Sequence, residues 1–140
     1  MRTKVGFWTV LATMGTFAIT AQLYAVSPTF ADDMALVEKL VSGSPWKGSW
    51  DSGQYKGTPE IVFALNDGQL IGAIQNGTGA PRSFDGPLSY FAIESGVVKF
   101  QNRVTGGNYE LSLDEGGALK GHSQIRFGGR ATIMLTPSRQ

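Results

Sequence analysis

Few residues in this chain carry chemistry, and those few are spaced so as to act alone. The single histidine, His122, stands beside Ser123. A serine and a histidine within hydrogen-bond reach form the core of a nucleophile–base pair. As neighbours on a strand they point to opposite faces, which forbids that bond. Glu60 and Asp85 lie near strand starts, where two carboxylates could divide acid and base roles. Nothing in their spacing sets them against each other. Asp32–Asp33 and Asp114–Glu115 read as a helix cap and a turn, since a metal site needs several clustered ligands. The absence of cysteine excludes disulfides, zinc–thiolate sites, iron–sulfur clusters and cysteine nucleophiles. The glycine-rich stretches lack the strand–loop–lysine context of a phosphate loop. The expectation is a binding protein, not an enzyme, with no metal and no cofactor.

The elements that must position a binding site are mostly strands. The chain has 140 residues, one domain's worth, with 19 glycines and 16% charged residues. Glycine is about twice its usual share and charge is low, which suits a turn-rich β domain. From Trp46 onward the apolar pattern has period two. Val98, Phe100 and Val104 alternate with Lys99, Gln101 and Arg103. Tyr109, Leu111 and Leu113 form a second row, and Leu119, Gly121, Ser123, Ile125 and Phe127 a third. Ala131, Ile133 and Leu135 form a fourth. Each row is a strand with one buried and one wet face. Turn signals separate them, among them Asn66-Asp67-Gly68 and Glu94-Ser95-Gly96. About eight strands result, near 46–53, 59–66, 69–75, 86–93, 97–104, 108–113, 118–127 and 130–136.

The fold expected is all-β: an eight-stranded antiparallel up-and-down meander over residues 44–140. Short loops make sequence neighbours spatial neighbours. Such a meander ends as a closed barrel or a flattened sandwich; the clean alternation and the removal of sheet edges favour closure. The stretches Leu65–Gly72 and Leu113–Gly121 resemble each other, which hairpin chemistry alone accounts for.

Ahead of the strands, Met34, Leu36, Val37, Leu40 and Val41 recur at helical spacing over residues 32–43, with Gly43 and Pro45 as stops. Residues 1–31 read as a secretory signal. Arg2 and Lys4 are followed by an uncharged apolar run from Val5 to Ala25, then by small residues near Ala25 and Ala31. An uncleaved anchor is the alternative, although polar residues interrupt the run and no basic cluster follows it. Cleavage removes two basic residues and takes the formal charge from +1 to −1. That excludes general attraction to nucleic acid or anionic membranes. An exported domain without disulfides fits a bacterial periplasm or secretion better than an animal extracellular module.

Gly48-Ser49-Trp50 opens the first strand directly after the helix. It resembles the Gly-x-Trp motif of lipocalins and the similar start of avidin-like barrels, together the calycins. The resemblance covers residues 44–136. It implies a barrel with Trp50 packed across one end, covered by an arginine from the last strands, here Arg126 or Arg130. The loop Asp51–Thr58 is too short for a lipocalin lid, and no ligand-contacting residue beyond Trp50 carries over.

An eight-stranded barrel holds its own side chains or one small ligand. The candidate ligand-binding residues of the interior are Trp50, Phe63, Phe91, Phe100, Tyr109 and Phe127, with Gly72 and Gly121 expected to open space among them. The function expected is binding of a small apolar ligand. The alternative is a filled barrel that meets an envelope protein through its surface, with loop Asn76–Phe84 as the contact. Oligomeric state stays open.

Overall fold

A computed structural model describes residues 28–77, 85–125 and 129–139. Helix α1 (Pro28–Ser42) precedes β1 (Trp46–Asp51), β2 (Lys56–Gly57), β3 (Glu60–Asn66), β4 (Gln69–Gln75) and β5 (Gly86–Glu94). Then follow β6 (Val97–Asn102), β7 (Asn108–Leu113), β8 (Leu119–Ile125) and β9 (Gly129–Pro137). From β3 to β9 each strand pairs antiparallel with the next, and β1 pairs with both β3 and β9. The wall is therefore a closed eight-stranded barrel, not a sandwich. The additional strand, β2, continues the line of β3 along β1: Lys47 faces Glu60 and Trp50 faces Gly57. Between β2 and β3 stands Pro59, which has no N–H to donate to a ladder.

The hairpin turns obey their chemistry. Asp67 and Gly68 have φ of 51° and 77°, and Ser95 and Gly96 have 52° and 79°. Two consecutive left-handed residues are what a two-residue hairpin needs to match strand twist. Along β6 to β9 the alternation is buried inward: Val98, Phe100, Tyr109, Leu111, Leu119, Ile133 and Leu135 all lie in the core. Two positions differ from expectation. Leu65 is 51% exposed, because it sits where β3 runs out into its turn. Val104 is 53% exposed, because β6 ends at Asn102 and the chain turns. Asn102 takes the buried position instead, its Oδ1 accepting from the N–H groups of Val104 and Thr105 at 2.9 and 3.4 Å. A carboxamide can close a turn from inside a core in this way without losing hydrogen bonds.

Helix α1 lies across one barrel end. Leu36 and Leu40 are buried against it, with Val41 packed beside them. The helix ends at Ser42, where the sequence stops it, and Gly43 N–H bonds to the Lys39 carbonyl at 2.9 Å. Trp46 Nε1 donates to the Leu40 carbonyl at 2.8 Å, and Ser44 Oγ accepts from Phe63 N–H at 2.8 Å. These bonds tie the last turn to β1 and β3. The start differs from expectation: α1 begins at Pro28, four residues before Asp32. Asp33 does not cap it. Its Oδ1 accepts from the Gly96 N–H at 2.9 Å, fastening the helix to the β5–β6 turn. Residues 1–27, most of the expected secretory signal, lie outside the described residues. Among the described residues no helix is long and apolar enough to cross a membrane.

Candidate functional site

The residues with acid, base or nucleophilic character stay apart. His122 is exposed on the outer face, while Ser123 is 3% exposed on the inner one. Glu60 pairs with Lys47 across the wall at 3.8 Å. Asp85 accepts from Asn76 N–H at 2.6 Å, closing the base of the β4–β5 loop. Asp114 accepts from Ala118 N–H at 2.9 Å and meets Lys120 at 3.0 Å. The Ala118 N–H, and then Lys120, hold its carboxyl below the usual range. These are ladder, loop and turn contacts. Among the described residues no group of three or more His, Asp or Glu is placed to hold a metal ion.

The inward aromatic residues do come together. Phe63, Phe91, Phe100 and Tyr109 project from β3, β5, β6 and β7. Phe63 lies edge-on to Phe91 and Phe100, with centroids 6.3 and 5.8 Å apart. Phe91 and Phe100 are 5.5 Å apart, and Phe100 stacks on Tyr109 at 5.0 Å. These separations are those of favourable aromatic pairs. Burial pushes the Tyr109 hydroxyl up to about 12, and its hydrogen bond with Asn102 acts the other way. Trp50 is also buried, its indole N–H donating to Ser123 Oγ at 3.0 Å. Of the two arginines expected to cover this indole, Arg130 is exposed, on the outward row opposite Ala131 and Ile133. Arg126 and Phe127 lie outside the described residues, as does loop 78–84.

Gly72 and Gly121 do not open space. A Cβ on Gly121 would run into the Glu110 carbonyl, and one on Gly72 would lie 2.7 Å from the Val62 carbonyl. Neighbouring backbone fills both positions, so these glycines serve close strand approach.

The opening lies in the wall itself. Between β4 and β5 the bridges stop after three pairs, the last being Gly72 with Leu88. Beyond it, Gln69–Ile71 and Ser89–Glu94 have no bridges to each other, and the strands part toward the helix end. The parting forms a cleft of about 590 Å³, lined by Leu70, Ile71, Leu88, Ser89, Tyr90 and Phe91 among others. On β5, Ser89 faces Gln101 and Ala92 faces Lys99, so Tyr90 and Phe91 together oppose one residue of β6. This is a β-bulge, and it re-aims side chains as bulges do. Without it Tyr90 would point inward after Leu88. With it Phe91 enters the aromatic cluster, and Tyr90 is left 80% exposed at φ 57°. A tyrosine in the left-handed region is uncommon, and such backbone collects at functional sites. Phe91 belongs to both the cleft and the cluster, so its ring is the contact between the two.

Tyr90, Ser89 and Leu88 were not legible as site residues from period-two patterning. The available signal was the pair Tyr90-Phe91, two aromatic neighbours where alternation allows one. A second cleft, of about 750 Å³, lies between the C-terminal end of α1 and the β7–β8 turn. Its rim carries Lys39, Arg139, Asp114 and Glu115, charges of both signs, and its floor is the packed Trp46. It does not reach the aromatic cluster. No known protein family, curated protein sequence or solved structure is significantly similar to the chain.

Proposed function

We propose that the protein is an exported, non-enzymatic barrel of the calycin type that binds one small apolar ligand through the split between β4 and β5. The observation that carries this is the position of Phe91, half-buried in the cleft and packed on Phe63 and Phe100. An apolar molecule entering there gains contact with aromatic faces already held in place, which lowers the cost of ordering the site. Export rests on the leader-like residues before α1. Cleavage after Ala25 leaves α1 whole, whereas cleavage after Ala31 removes its first turn.

The test is titration with 1,6-diphenylhexatriene, a neutral fluorophore with no polar atom. Saturable binding of one molecule per chain is expected, weakened about tenfold or more by Phe91→Ala, since losing about 1.4 kcal/mol of aromatic contact is tenfold in affinity. Absence of saturable binding overturns the reading. A second reading, a filled barrel that docks an envelope protein, is supported by the apolar side chains on the outer wall. Val62 and Ile71 are each 44% exposed on β3 and β4. It predicts a stoichiometric protein complex that survives Phe91→Ala.

A further inference from the structure

The cleft carries one polar feature that an apolar ligand alone leaves unexplained. Ser89 lines it, and the Ser89 hydroxyl oxygen is buried with no hydrogen-bond partner among the described residues. A buried hydroxyl without a partner forfeits the hydrogen bonds it made with water. Such a group in a recognition cleft selects a ligand that supplies the missing bond. The rest of the lining is uncharged: Leu70, Ile71, Leu88, Tyr90 and Phe91, with Gln69 at the rim. The neighbouring Glu94 lies beside Lys99, at 3.8 Å. No cationic side chain lines the cleft to receive a carboxylate or phosphate, and no anionic one to receive an amine. An ion brought in would lose hydration without a countercharge.

We infer that the ligand is a neutral amphiphile, an apolar chain or ring bearing one uncharged hydrogen-bonding head such as a hydroxyl or carbonyl, and that Ser89 is the residue that reads this head. The inference rests on the proposed ligand-binding function and names its ligand class. Ser89 stands next to the bulge, so the distortion that turns Phe91 inward also sets the hydroxyl at the cleft.

The experiment is displacement of bound diphenylhexatriene by decan-1-ol and by decanoate at pH 8, for the wild type and Ser89→Ala. Decan-1-ol is expected to displace the fluorophore at concentrations at least tenfold below decanoate. Ser89→Ala is expected to weaken decan-1-ol about fivefold, the worth of one net hydrogen bond. It should not weaken diphenylhexatriene, because that probe has no polar atom to lose a bond. Fluorophore binding with decanoate equal to or tighter than decan-1-ol overturns the inference and leaves the function standing. So does an unchanged decan-1-ol affinity in Ser89→Ala. Failure of the fluorophore to bind the wild type overturns both.

Discussion

Trp50 on β1 and Ser123 on β8 are joined across 73 positions of sequence by a buried hydrogen bond, the indole N–H donating to Oγ at 3.0 Å. β9 lies between their strands, so the bond reaches over one strand inside the barrel. Ser123→Ala strands the indole donor in the core and should cost about 1–3 kcal/mol. Replacing the indole as well, in Trp50→Phe with Ser123→Ala, removes the orphan and should cost less than the two single changes added together. Trp50→Ala should cost ~3–5 kcal/mol, the range for deleting a buried aromatic. Thermal denaturation of the four variants checks the set; additive single and double changes would refute the bond's role.

Gly121→Ala should destabilise by about 1–3 kcal/mol, the usual range for overpacking a tight site. The added carbon collides with the Glu110 carbonyl of the adjoining strand, and backbone in a ladder yields little. Gly68→Ala adds a carbon that meets nothing within 4 Å, but in left-handed backbone at φ 77°. Its cost should come from backbone strain alone, roughly 1 kcal/mol. Chemical denaturation midpoints compare the two.

Tyr109 gives the stability an alkaline limb. Its hydroxyl titrates at about 12 in the fold against a normal value of 10.0, because burial penalises the phenolate. The unfolded chain therefore loses this proton first as pH rises. The stabilisation is whole below pH 10 and drains away toward pH 12. Denaturant midpoints should fall across that window in the wild type and fall less in Tyr109→Phe. Parallel curves for the two proteins would refute the assignment.

His122→Ala should be silent, within about 0.5 kcal/mol in stability. The ring is exposed on the outer face, and its neighbour Ser123 is engaged with Trp50 on the inner one. Ligand titration and melting of this variant should match the wild type.

The alternation of β6 to β9 was legible in the sequence because each strand pairs on both sides over most of its length, so parity alone decides which residues are buried. Phe100, Tyr109, Leu111, Ile133 and Leu135 follow from it directly. The split did not follow. A bulge changes parity in mid-strand, and period-two reading carries the same parity through Leu88, Tyr90 and Ala92. Phe91 was expected inside, and its inward aim depends on the extra residue at Tyr90. The partners of Trp50 were also hidden. Strand patterning gives a residue's face, and only the stagger between β1 and β8 brings Ser123 beneath the indole. The covering helix was legible as an element but not in its attachment. Asp33 has the residue type of a cap, and its use as a clamp on Gly96 is set by tertiary position.

The seam between β1 and β9 has a consequence for how the protein is made. Trp46–Asp51 and Thr132–Pro137 are zipped by six residue pairs, so the first and last strands of the barrel hold each other shut. Until β9 is in place, the rest of the wall can form hairpins, but it has no latch for them. Closure thus waits on a pairing between strands far apart in sequence, the kind of contact that slows folding and leaves apolar surface uncovered meanwhile.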